Sequence, residues 1–208
     1  MGLMNSKAMV LSRVRTKLEN ACLDLRFGRL LRGVKTSPYA QLGAYATANS
    51  NYGDVQRLLE GRVKPSDVMV DVGCGKGRVI NAWLLAGYAN RMIGVELDAA
   101  VAADTRARLR RYPNVCITTG DIVANFPDDG TIFYLYNPFD GLAMTKFKAR
   151  LKKSLEQRAC REATIIYNNC LHMDTFLEDP ECEIEWGKLQ HPVAIVRFPD
   201  QHQQGAPA

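Results

Sequence analysis

Long apolar runs are missing from this sequence. No stretch of its 208 residues approaches the roughly 20 apolar residues that a bilayer-spanning helix requires, and no secretory h-region follows the first methionine. A cytoplasmic protein without a membrane span is the expectation. Histidine is scarce, with three in the chain, and the six cysteines (Cys22, Cys74, Cys116, Cys160, Cys170, Cys182) form no C-x-x-C pair and have no His at zinc-ligand spacing. No metal centre is implied, and the cysteines read as reduced, mostly buried thiols. What is present, 47% hydrophobic and 24% charged residues, suits one globular domain with an appendage.

The excess positive charge is local. Residues 1 to 35 carry eight Lys and Arg against Glu19 and Asp24, a net of +6 within a chain whose total is +5, so the remainder is nearly neutral. Val10, Val14, Leu18, Ala21 and Leu25 recur there at steps of three and four, which predicts an amphipathic helix with Arg13, Lys17 and Arg26 nearby. Two readings stand: a helix packed on the domain by its apolar stripe, or a basic surface for nucleic acid, anionic lipid or a docking protein. Residues 36 to 53, rich in Tyr, Ala, Asn and Gly, predict a loop leading into a helix at Asp54 to Glu60, and Tyr45, Asn49 and Tyr52 within it are candidates to cover a ligand.

From Lys64 apolar strands alternate with helices. Strands are expected at Val68–Val72, Met92–Glu96, Val115–Thr119, Thr131–Tyr136 and Ala163–Tyr167, with helices at Arg78–Ala86, Ala99–Tyr112 and Leu142–Leu155. Strands that are apolar throughout, separated by helices, make a parallel sheet covered on both faces, an α/β three-layer sandwich. Cys182–Trp186 and Val193–Phe198 suit a closing antiparallel hairpin. The expected division is residues 1–62 as basic arm and covering loop, 63–200 as the α/β domain, and 201–208 as a disordered tail.

The segment Asp71-Val72-Gly73-Cys74-Gly75-Lys76-Gly77-Arg78 lies where the first of these strands turns into a helix, at the sheet edge where open α/β folds bind ligands. Its alternating glycines permit a tight turn and let a ligand approach backbone amides. A dinucleotide fits poorly: the position for its third glycine is Arg78, and Asp71 would put a carboxylate beside a pyrophosphate. A Walker A loop is excluded because Lys76 is misplaced and no Ser or Thr follows it. A cationic ligand suits the carboxylate, with an attraction on the order of a few kcal/mol at an effective dielectric of about 20, before desolvation. Glu96 ends the second strand 25 residues after Asp71, where an acid accepts ribose hydroxyls, and Asp121 follows the third strand, where it could receive an adenine amino group.

The successive segments Val-Asp-Val-Gly-Cys-Gly-Lys-Gly-Arg, Gly-Val-Glu-Leu-Asp, Gly-Asp-Ile and Tyr-Asn-Pro-Phe resemble the motifs of class I methyltransferases, over about residues 64 to 198. The combination is similar to a bacterial group whose substrates are mostly unassigned, and it faintly resembles non-SET protein-lysine methyltransferases. The resemblance implies a doubly wound, seven-stranded, mostly parallel sheet with an antiparallel last strand and an N-terminal helical extension. S-adenosylmethionine would then be held by Asp71, Gly73, Cys74, Gly75, Gly77, Glu96, Leu97, Asp121, Ile122 and Asn137. Catalysis is assigned to Asn137, Pro138 and Phe139, the Asn oxygen accepting a target N–H and the aromatic stacking on a planar substrate. Phe139 stands where the related Asn-Pro-Pro-Tyr motif has its second proline. A general base, if one is used, would be Asp140 or a nearby Tyr; Tyr167, Asn168 and Asn169 are expected to line the substrate pocket. The expected activity is N-methylation of a protein side chain, lysine-like. Methylation of a small molecule or a nucleic acid, the latter bound through the basic arm, is the alternative within the class, and a non-catalytic scaffold module the alternative outside it.

Overall fold

The computed structural model describes residues 2–31, 33, 49–158 and 162–200, and of residues 2–10 only the helical backbone. The tail from 201 onward, Tyr45 and Cys160 lie outside the described residues. Along the chain the elements are α1 (Gly2–Arg26), α2 (Tyr52–Leu59), β1 (Val68–Val72), α3 (Arg78–Leu85), β2 (Arg91–Glu96), α4 (Ala99–Leu109) and β3 (Val115–Thr119). They continue as β4 (Ile132–Tyr136), α5 (Gly141–Glu156), β5 (Ala163–Asn168), α6 (Asp174–Leu177), β6 (Glu183–Lys188) and β7 (Pro192–Phe198).

The seven strands form one sheet in the order β3-β2-β1-β4-β5-β7-β6. Pairs among β1 to β5 are all parallel, while β7 runs antiparallel to both β5 and β6. The order reverses between β1 and β4, which opens a crevice at the carboxyl ends of these two strands. Both faces of the sheet are covered. On one, Val70, Val72, Phe133, Leu135 and Ile165 pack with Met144, Phe147 and Leu151 of α5; on the other, Met69, Ile132 and Ile166 pack with Val55, Leu59, Ile80, Trp83 and Ala102 of α2, α3 and α4. That double burial is why β4 reads as an unbroken apolar run and β1 as one interrupted only by Asp71. β6, at the edge, keeps Glu183, Glu185 and Lys188 exposed, the charges that deter pairing with another sheet.

The arm differs from expectation. α1 buries only part of its apolar stripe: Val14, Leu18 and Leu25 are about half exposed, whereas Ala21 of the stripe faces the domain with Asn20 and Asp24, followed by Phe27 and Leu31. The contact that attaches α1 joins Ala21 and Leu23 to a buried polar cluster, so hydrophobic periodicity alone misplaces the buried face. Asp24 is fully buried and accepts four hydrogen bonds, from Arg78 Nε (3.0 Å), Arg78 Nη2 (2.6 Å), Tyr52 Oη (3.0 Å) and the Leu31 amide (3.0 Å). Tyr52 is therefore not part of a cover over the crevice; it is the buried first residue of α2. Asn49 donates from Nδ2 to the Leu31 carbonyl, which ties the segment before α2 to the end of the arm. The cysteines also depart from the expected pattern: Cys74 and Cys170 are buried, Cys182 is half-buried, and Cys22 and Cys116 are exposed, all five as free thiols.

Candidate active site

The glycine loop begins at Asp71, the fourth residue of β1. Alternation along the strand puts Val70 and Val72 in the α5-side core, so Asp71 faces the other side beside Tyr134, its register partner in β4. The Asp71 side chain is 3% exposed, and its Oδ2 is buried without a hydrogen-bond partner. Burial, and then the nearby charge of Glu96, push this carboxyl well above the usual carboxylate range. Beyond Val72, Gly73, Gly75 and Gly77 all have positive φ (70°, 50° and 72°), a conformation strained for any residue with a Cβ. Space is also short at two of them. A Cβ on Gly73 would come within 3.1 Å of Pro138 Cβ, and one on Gly77 within 2.9 Å of Thr105 Cγ2. Gly77→Ala is accordingly expected to lower the free energy of unfolding by about 1–3 kcal/mol, read by urea denaturation, because α4 must move away from the loop.

Glu96, at the end of β2, holds the loop in place. Its Oε2 accepts from the Gly75 amide and its Oε1 from the Asp98 amide, both at 2.8 Å. Burial pushes the Glu96 carboxyl up from the ordinary carboxylate range, against the opposing effect of the Asp98, Gly75 and Leu97 amides. A carboxylate offers about four lone-pair sites, more than these amides occupy, so capacity remains for a ligand's hydroxyl group. Thr105 Oγ1 donates to the Gly75 carbonyl at 2.9 Å, and Arg108 donates to the Lys76 carbonyl, so α4 fastens the loop from behind. Cys74 packs beneath it, and a Cβ on Gly94 would lie 2.7 Å from Cys74 Sγ, which fixes how closely β2 and the loop approach. Burial pushes the Cys74 thiol well up, so it is a packing group and not a nucleophile.

The remaining expected residues fall on the same edge, with altered roles. Leu97 follows Glu96 directly, and Ile122 is buried in the α5-side core next to Asp121. The exposed Asp121 carboxylate accepts from the Val123 (2.8 Å) and Ala124 (3.0 Å) amides, capping the turn after β3. Asn137, just past β4, has φ of 42°, and its Oδ1 accepts from Tyr167 Oη at 3.1 Å, leaving one lone pair. Pro138 lies over Gly73. Phe139 differs from expectation: its ring is 9% exposed and packs on Phe147, 6.0 Å between centroids, so it is a core residue and presents no face to a planar substrate. Asp140, a candidate base, caps α5 by accepting from the Ala143 amide at 2.9 Å.

Two features were not anticipated. The buried Asp24–Arg78 pair joins the arm to the first residue of α3, immediately after the glycine loop. A cavity of about 120 Å³ lies at the carboxyl ends of β4 and β5, lined by Asn49, Ser50, Asp54, Tyr136, Asn168 and His191 among others. Only its Asn168 was expected to line a substrate pocket.

Comparison with known proteins bears on the fold. No family model matches the sequence, and no curated protein matches it. Solved structures do. An RNA methyltransferase from Salinibacter ruber, in complex with S-adenosyl-L-homocysteine, is 21% identical with a TM-score of 0.54, covering 74% of this chain and 95% of its own. The methyltransferase PaMTH1 of Podospora anserina, also bound to S-adenosylhomocysteine, is 12% identical with a TM-score of 0.58, over 79% and 83% of the two chains. The B. subtilis tRNA methyltransferase TrmK is 12% identical with a TM-score of 0.52, over 74% and 69%. Together with the strand order, these similarities show the fold: the chain has the Rossmann-like architecture seen in these methyltransferases.

Proposed function

We propose that this protein is an S-adenosylmethionine-dependent methyltransferase whose acceptor is an amino nitrogen on a protein side chain, of the lysine type. The observation that carries the cofactor assignment is Asp71 Oδ2, a buried acceptor without a partner at the base of the glycine loop. An unsatisfied buried acceptor costs about 1–3 kcal/mol, and a cationic ligand with N–H groups removes that cost. Asp71, Gly73, Cys74, Gly75 and Gly77 would hold the amino-acid part, Glu96 and Leu97 the ribose, and Asp121 with Ile122 the adenine. S-adenosylmethionine, when bound, supplies a methyl carbon on a positively charged sulfur, whose bond breaks as the acceptor's lone pair forms the new one. Asn137 keeps one lone pair to orient the target N–H, and Pro138 holds the chain close over Gly73. Asp140 caps α5 through one oxygen, and the step as proposed is not routed through a general base. The work of these residues is positioning and exclusion of water.

Calorimetric titration of the full chain with S-adenosylmethionine tests the reading. Binding is expected, accompanied by proton release. Asp71 favours its protonated form above the ordinary carboxylate pH range, and an incoming cation favours the ionised form, so the proton leaves on binding. Titration in two buffers of different ionisation enthalpy reveals it. No binding by the folded protein would refute the assignment and leave a scaffold role.

A second reading, methylation of RNA, has one observation in its favour: Arg13, Arg15, Lys17 and Arg26 are exposed along α1. It predicts RNA affinity that falls steeply with salt.

A further inference from the structure

The cavity at the carboxyl ends of β4 and β5 contains an acceptor that the fold leaves unused. Asn168, the last residue of β5, is 3% exposed, and its Nδ2 donates to Tyr134 Oη at 3.1 Å while Tyr134 Oη donates to Ser50 Oγ at 3.2 Å. With the amide oriented in this way, Asn168 Oδ1 is buried without a hydrogen-bond partner. Asp54 lines the same cavity, half-buried; its Oδ2 accepts from Asn51 Nδ2 at 3.1 Å, and it pairs with the exposed Arg57. No Lys or Arg lines the cavity among the described residues. Register connects this place to the glycine loop. Asp71 pairs with Tyr134, and Tyr136 pairs with Asn168, so all four lie on one face of the sheet, across β1, β4 and β5.

Resting on the methyltransferase reading above, we propose that this cavity receives the methyl acceptor, and that the acceptor is the end of an aliphatic primary amine. Asn168 Oδ1 accepts one of its N–H groups, and the Asp54 carboxylate favours the positive charge that the nitrogen carries once methylated. The amine can come from a lysine side chain or from a free alkylamine.

The test follows the Asn168 side-chain amide pair in proton–nitrogen spectra of the full chain, assigned by its loss in Asn168→Asp, without any turnover. Nα-acetyl-lysine methylamide and butylamine are each expected to shift that pair saturably, whereas adenosine is not. Asn168→Leu should weaken amine binding by about 10-fold, followed at the remaining cavity signals, while Asn168→Asp, which keeps an acceptor, should not. Asp54→Asn, which leaves Asn168 in place, should also weaken it by about 10-fold. Tighter binding of the methylamide points to a peptide source, and tighter binding of butylamine to a free amine; either retains the amine assignment. No shift with either amine, a shift with adenosine alone, or full amine affinity in Asn168→Leu would overturn it. S-adenosylmethionine calorimetry on the same sample separates the two failures: cofactor binding without an amine response refutes the cavity alone, whereas absent cofactor binding refutes the activity.

Discussion

Asp24→Ala is expected to destabilise the protein by about 3–5 kcal/mol, although Asp24 lies in the arm and outside the α/β sheet. The substitution would strand Arg78, 8% exposed, as a buried charge, and would leave Tyr52 Oη and the Leu31 amide without their acceptor. The loss would spread. Asn81 Nδ2 donates to Tyr52 Oη at 3.2 Å, and Asn81 Oδ1 accepts from Arg108 Nη1 at 3.3 Å, so the network reaches α4 and, through Arg108, the Lys76 carbonyl in the glycine loop. Removing one partner costs far more than removing both, because an uncompensated charge is worse than a well-packed apolar pair. The double variant Asp24→Leu with Arg78→Met should therefore be more stable than Asp24→Ala. Urea denaturation of the three variants measures this; a loss under about 1 kcal/mol in Asp24→Ala would show that water reaches Arg78 and that the pair is not structural.

That network shows where reading the sequence falls short. β1 and β3 can be placed residue for residue, because an apolar run closed by Asp, Gly or Thr has little freedom of interpretation. The glycine loop is equally plain, since three residues of positive φ leave a spacing that glycine alone fills without strain. Asp24 leaves no such trace. It is one acid in a basic helix, and the partner that explains its burial lies 54 residues away in sequence. Hydrophobic periodicity selected Val14, Leu18 and Leu25 for burial together with Ala21, which alone of these four is buried, because it counts apolar side chains only and the ion pair at Asp24 is invisible to it. Phe139 misleads for a related reason. Its place after Asn137-Pro138 suggests a substrate platform, but α5 begins at once and presents Phe147, so the ring turns into the core. The unpaired Oδ1 of Asn168 could not be read at all, since it depends on Tyr134 and Ser50 engaging the other end of the amide.

The largest effect on ligand binding is expected at the loop itself. Gly75→Arg should abolish S-adenosylmethionine binding, a loss beyond about 1,000-fold, because the position has φ of 50°, is buried, and lies where its amide donates to Glu96. Its side chain would enter the crevice with a positive charge, adding repulsion to obstruction. Glu96→Ala should reduce affinity on the order of 100-fold, the equivalent of two charge-assisted hydrogen bonds of ~1.5 kcal/mol each. Part of that loss comes from the ligand's hydroxyls and part from releasing the Gly75 and Asp98 amides. Glu96→Gln separates the two, since the amide oxygen can still accept one bond while its NH₂ repels the other donor. Calorimetry should place it between wild type and Glu96→Ala. Equal affinity in wild type and Glu96→Ala would confine Glu96 to tying the loop, and the ribose would then have to be held elsewhere on the crevice wall.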